Sequence, residues 1–133
     1  SHDTPRFLTQ ADNNEEILKL AFALQMTLPG MPMIYYGDEV GMQGGKDPDC
    51  RRGMLWDENK QNGEIFDYYK KWIKIHKKYS SLKNGEFKTI YVNDDANVYI
   101  FKRFNENEEL YIAFNFSNNN ISLDYLNDKK VID

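Results

Sequence analysis

Two stretches of the sequence carry the side chains best suited to chemistry. The first is Ser1-His2-Asp3-Thr4-Pro5-Arg6, where an imidazole and a carboxylate stand side by side ahead of a Thr-Pro turn. By itself such a pair says little, because His-Asp neighbours at a chain end are usually solvated and frayed. The second runs from Gly30 to Trp56. It holds Asp38, Glu39, the Gly44-Gly45 pair, Lys46, Asp47, Asp49, Arg51 and Arg52 before the large aromatic of Trp56. Charges of both signs interleaved with glycine, in a loop longer than an ordinary βα connection, are how α/β enzymes display binding groups. The plainer reading of the same residues is a solvated connection.

Rigid elements have to hold these loops. Met31-Pro32-Met33-Ile34-Tyr35-Tyr36, an apolar run bounded by Gly30 and Gly37, predicts a strand buried on both faces. Ahead of it, Asn13 or Asn14 predicts a helix cap, with Glu15 and Glu16 in the first turn facing the positive end of the dipole. Ile17, Leu20, Ala21, Leu24 and Leu28 recur at helical spacing, and Phe22, Ala23 and Met26 widen that stripe. Pro29-Gly30 ends the helix, and the apolar run begins at once, as in an αβ unit of a parallel sheet. Beyond the charged loop a second helix is predicted over 64–79. Ile65, Tyr68, Tyr69, Trp72, Ile73, His76 and Tyr79 share one side, and lysines occupy the other. His76 is expected to be a packed, satisfied histidine rather than a ligand.

The pattern changes after Ser80-Ser81. Residues 86–92, 97–104, 109–116 and 121–125 are short runs rich in Tyr, Phe, Ile and Val, separated by Asn- and Asp-rich turns. They predict antiparallel hairpins, with 97–104 as a central strand of a sandwich. The fold class is therefore α/β followed by all-β, with the boundary near Lys83 to Gly85. One parallel strand with two helices cannot cover itself, and four strands make only part of a sandwich. The chain is expected to be the C-terminal portion of a larger α/β protein, cut within its β-domain.

Composition narrows the partners. With 133 residues, 41% of them hydrophobic, the chain has material for one modest domain or pieces of two. A net charge of −4 without a basic stripe argues against nucleic acid. No apolar segment approaches membrane-spanning length, and the start carries neither an initiator Met nor a signal-peptide pattern. The lone Cys50 excludes an internal disulfide framework and fits a reducing compartment, so a cytoplasmic location is expected. A calcium loop around Asp47 and Asp49 lacks further oxygen ligands at regular spacing, so neither metal nor cofactor is expected in this segment.

The order Ser1-His2-Asp3-Thr4-Pro5-Arg6, helix, Gly30-Met31-Pro32-Met33-Ile34-Tyr35-Tyr36-Gly37-Asp38-Glu39-Val40-Gly41-Met42, Asp47-Pro48-Asp49-Cys50-Arg51-Arg52 resembles the α-amylase family of glycoside hydrolases. It is most similar to the neopullulanase, cyclomaltodextrinase and maltogenic amylase branch. Either signature alone is weak; the two at this separation are specific. The resemblance implies that residues 1–82 close a (β/α)8 TIM barrel, its seventh strand ending at Ser1-His2-Asp3 and its eighth formed by the Tyr35-Tyr36 run. Residues 83–133 would begin a truncated antiparallel β-sandwich domain.

For the chemistry, the resemblance implies that Asp3 is the carboxylate that stabilises an oxocarbenium-like transition state. His2 would donate to hydroxyls of the same sugar. Asp47 and Arg51 would grip the neighbouring glucose, although an ion pair that merely staples the loop is the competing reading. Tyr36 and Trp56 are candidates to wall the sugar site, with core packing the favoured role for both. Asp38 and Glu39 are expected to close the strand end or hold backbone amides. The family's nucleophile and acid/base have no counterpart here, so the isolated chain is expected to be inactive. The implied partners are an α-glucan substrate and the rest of the barrel, with calcium and a homodimer left open for the parent enzyme. The alternative is a stand-alone carbohydrate-binding or assembly module built on the aromatics of the β half.

Overall fold

The computed structural model describes residues 1–122 and Leu126. Four helices come first: α1 (Phe7–Gln10), α2 (Glu15–Thr27), α3 (Gly63–Lys78) and α4 (Ser80–Asn84). Three strands follow, β1 (Glu86–Asn93), β2 (Val98–Phe104) and β3 (Glu109–Asn115). Between α2 and α3 the chain makes single 3₁₀ turns at Asp38–Val40, Asp49–Arg51 and Glu58–Lys60.

Asn14 is the cap of α2, its Oδ1 accepting from the amides of Glu16 at 3.0 Å and Ile17 at 3.2 Å. Asn62 does the same for α3 through the amide of Ile65 at 3.1 Å. The two helices pack through Leu18, Phe22 and Met26 of α2 against Ile65 and Tyr69 of α3, with Leu8 of α1 closing the cluster. Phe22 and Tyr69 stack with ring centroids 3.6 Å apart. Another face of α2, centred on Ala23, packs on Phe101 and Phe114 of the sheet. Leu20, Leu24 and Leu28 of the expected stripe pack against this second cluster, whereas Ile17 is left 46% exposed. His76 is a packed histidine, its Nδ1 lying 2.8 Å from the carbonyl of Met26.

The strands form one antiparallel sheet in the order β1-β2-β3, with Glu86 opposite Phe104 and Val98 opposite Asn115. The central β2 buries Val98, Ile100, Phe101 and Arg103. This single sheet stands where sandwich strands were expected. Of the fourth expected strand, 121–125, only Ile121 and Ser122 are described, and neither is in a strand.

Arg103 joins the helices to the sheet. Its guanidinium is buried and donates to the carbonyls of Thr27 at 2.8 Å, Gly85 at 3.1 Å and Glu86 at 3.3 Å. Burial lowers its pKa from the ordinary arginine value, because the charge gives up water for carbonyl dipoles. An Arg103→Met variant leaves those carbonyls without a donor and is expected to lose about 3 kcal/mol of stability. Urea unfolding should show a lower midpoint at an unchanged m-value.

The apolar run Met31 to Tyr36 departs from expectation. It forms no strand, and Met31 and Met33 are 95% and 62% exposed. A strand buried on both faces needs paired neighbours and covering layers, whereas β1 to β3 pair only with one another among the described residues.

Candidate active site

The site is built where the segment before α1 meets the loop after the apolar run. The Arg6 amide donates to the Gly44 carbonyl at 2.9 Å, and the Gly44 amide donates to Thr9 Oγ1 at 2.9 Å. Gly44 also lies against the next turn, where a Cβ would come within 2.8 Å of the Asp49 carbonyl oxygen and 2.9 Å of Cys50 Cα. Only glycine permits that approach.

Arg6 is the buried centre of this junction. Its Nη1 donates to the Tyr36 carbonyl at 2.7 Å and to Asp38 Oδ1 at 2.9 Å. The guanidinium carbon sits 4.7 Å and 4.9 Å from the ring centroids of Tyr35 and Tyr36. Its Nε and Nη2 have no hydrogen-bond partner among the described residues. Burial pushes the Asp38 carboxyl above its ordinary pKa, and the pull of Arg6 the other way does not fully offset it. Asp38 was expected at a strand end or on backbone amides; its carboxylate instead answers the buried cation. Sequence reasoning passed over Arg6, although an arginine so close to His2-Asp3, with the acidic pair Asp38-Glu39 after an apolar run, was the available signal.

The turn that carries Arg51 is held by Asp49. Its Oδ2 accepts from the Gly45 amide at 2.6 Å and its Oδ1 from Arg52 Nε at 2.6 Å. The Gly45 amide first, and Arg52 next, hold this carboxyl below the ordinary aspartate range. A depressed carboxyl stabilises the turn above its unfolded pKa and loses that contribution as pH falls through the folded one. Protection of the Gly45 amide from exchange is expected to persist through the ordinary aspartate range and to fall only at lower pH.

On this frame the structure brings four of the five proposed site residues together. His2 Nε2 lies 3.1 Å from Asp3 Oδ1, and Arg51 Nη2 lies 3.9 Å from the same oxygen. Arg51 Nε is 2.6 Å from Asp47 Oδ1 and 3.1 Å from the His2 carbonyl oxygen. The row His2, Asp3, Arg51, Asp47 is open to solvent, with 68% of the Asp3 side chain exposed. Ion pairs this exposed add little stability, so the groups remain free to exchange partners with a polar ligand. Tyr36 is placed differently: its hydroxyl donates to the Arg52 carbonyl at 2.7 Å and its ring covers Arg6. Trp56, expected in the core, is 81% exposed. Among the described residues no group of three or more His, Cys, Asp or Glu side chains is arranged to hold a metal ion. Asp47 and Asp49 are instead paired with Arg51 and Arg52. No helix among the described residues is long and apolar enough to cross a membrane.

The family model for the α-amylase catalytic domain matches residues 1–114. The chain belongs to the α-amylase family. Cyclomaltodextrinase of Thermoanaerobacter pseudethanolicus is 49% identical over 117 residues, covering 88% of this chain and 20% of that protein. Neopullulanase 2 of Thermoactinomyces vulgaris is 44% identical over 115 residues, covering 86% of this chain and 20% of that protein. Among solved structures, the maltogenic amylase from S. marinus superposes with a TM-score of 0.85 at 43% identity, over 93% of this chain and 18% of that one. The chain thus spans about a fifth of the length of these α-amylase-family relatives.

Proposed function

We propose that this α-amylase-family chain is the C-terminal part of the catalytic barrel of a larger retaining α-glucan hydrolase. On this reading residues 1–82 close a (β/α)8 barrel, and Met31 to Tyr36 becomes its eighth strand once the other strands pair with it. Residues 83–133 then open a β-sandwich domain. The observation that carries the proposal is the row of His2, Asp3, Arg51 and Asp47, which two separate segments build at one solvent-facing edge. The names of the relatives, cyclomaltodextrinase, neopullulanase and maltogenic amylase, support cyclodextrins and starch-derived oligosaccharides as substrates.

The roles follow from the chemistry of sugar transfer. A retaining glycosidase sets a carboxylate nucleophile and a carboxylic acid about 5 Å apart and passes through an oxocarbenium-like state. Asp3 accepts hydrogen bonds from sugar hydroxyls, which strengthen as positive charge grows on the ring. His2 donates to the same sugar. Asp47 and Arg51 place an acceptor and a planar donor fork beside the adjoining glucose. The nucleophile and the acid/base come from barrel segments beyond this chain. Its single cysteine fits a cytoplasmic enzyme.

The test compares the complete protein with the isolated 133-residue chain on β-cyclodextrin and maltoheptaose. The complete protein should release reducing sugar of retained α-configuration, and the isolated chain should release none above blank. Inverted product would overturn the retaining mechanism; turnover by the pure isolated chain would overturn the division of catalytic groups.

A further inference from the structure

Cys50 is the most enclosed side chain beside the candidate site, with none of its surface exposed, and no role assigned so far uses it. Its thiol lies 3.3 Å from the main-chain carbonyl oxygen of His2 and donates to it. Arg51 Nε reaches the same oxygen at 3.1 Å. Consecutive residues of one turn therefore converge on the single carbonyl that precedes Asp3. We propose that Cys50 is a positioning residue, which together with Arg51 clamps the His2 carbonyl and so sets the orientation of Asp3. The proposal rests on the transition-state role assigned to Asp3.

The clamp has a rigid mounting. Asp49 ties the turn to the Gly45 amide, and Gly44 sits tight against the Asp49–Cys50 backbone. Gly44 in turn is bonded to Arg6 and Thr9, on either side of the start of α1. The chain from Asp3 through Arg6 to Gly44, Cys50 and back to His2 is a closed ring of contacts. Without the clamp, Ser1 to Asp3 would be an exposed strap whose carboxylate swings freely, since His2, Arg51 and Ser1, which contact Asp3, are all solvent-exposed. A thiol is a weak donor, and here it belongs to a side chain with no exposed surface. Holding a catalytic carboxylate within a fraction of an ångström is worth more to the rate than to stability.

The test is a double-mutant cycle in the complete protein, measured on β-cyclodextrin. Cys50→Ala is expected to lower kcat about fivefold to tenfold, the scale of one lost positioning hydrogen bond, with KM changed less than about twofold. Cys50→Val, which fills the space without a donor, should behave alike and guards against a cavity or folding effect. In an Asp3→Asn background neither substitution should lower kcat further, because the group they orient is gone. Equal losses in both backgrounds, or no loss in the Asp3 background, would overturn the clamp and leave the assignment of Asp3 standing. A fully active Asp3→Asn enzyme would remove the role of Asp3, and the clamp with it.

Discussion

Replacing Asp3 by Asn in the complete protein is expected to lower kcat by roughly 10²- to 10³-fold, the range for losing one preorganised group that stabilises transition-state charge. The amide keeps the size of the side chain but loses the negative charge that strengthens each hydrogen bond from the sugar. KM should move far less, because the ground-state sugar carries no developing charge to sense the difference. The folded state should hardly notice. Asp3 is largely exposed, and its contacts with His2 at 3.1 Å and Arg51 at 3.9 Å are of the kind that contribute little to stability. Steady-state kinetics beside a thermal melt decides it: a small loss in kcat, or a loss matched by a lower melting point, speaks against the role.

Arg6→Met should show the opposite signature, a large loss of stability. The side chain is 1% exposed and holds both the Tyr36 carbonyl and the Asp38 carboxylate. Removing one partner of a buried pair costs about 3–5 kcal/mol, because the other charge stays behind uncompensated. The pH dependence follows from Asp38. Burial already raises its pKa, and without Arg6 nothing comparable opposes that shift. A carboxyl whose folded pKa lies above its unfolded value costs nothing extra below the unfolded pKa; the cost grows as pH rises through the folded one. The deficit of the variant should therefore shrink in acid and be largest near neutrality. An Arg6→Met, Asp38→Asn double variant should recover part of it at pH 7. A uniform deficit across pH would mean that lost packing against Tyr35 and Tyr36, rather than charge, sets the cost.

These two residues, three positions apart, show how unevenly the sequence discloses its roles. Asp3 could be singled out from the sequence because it stands in a signature whose companion, Tyr35-Tyr36-Gly37-Asp38-Glu39, follows at a characteristic separation. Arg6 was not, since nothing local to Thr4-Pro5-Arg6 says that a guanidinium will be driven into the interior. Its burial depends on a backbone carbonyl 30 residues away and a carboxylate 32 residues away. Cys50 was read only for what its solitude implied about disulfides. Its bond to His2 spans 48 positions and leaves no periodic trace.

By itself the sequence determined a cap for α2 at Asn13 or Asn14, the extent of α3, the antiparallel strands with β2 at the centre, and the family. Each of these rests on neighbours a few residues apart, or on a motif read as a string, where spacing and side-chain type suffice. Tertiary structure decided how α2 divides its apolar residues, with Leu18, Phe22 and Met26 packed on α3 and Ala23, Leu20, Leu24 and Leu28 in the cluster with the sheet. It decided that Asp38 answers Arg6, and that Arg51 links Asp47, Asp3 and the His2 carbonyl. It also decided that Met31 to Tyr36 forms no strand among the described residues, although its composition asks for one. A strand owes its existence to hydrogen bonds with its neighbours, so composition can request it but only pairing can supply it.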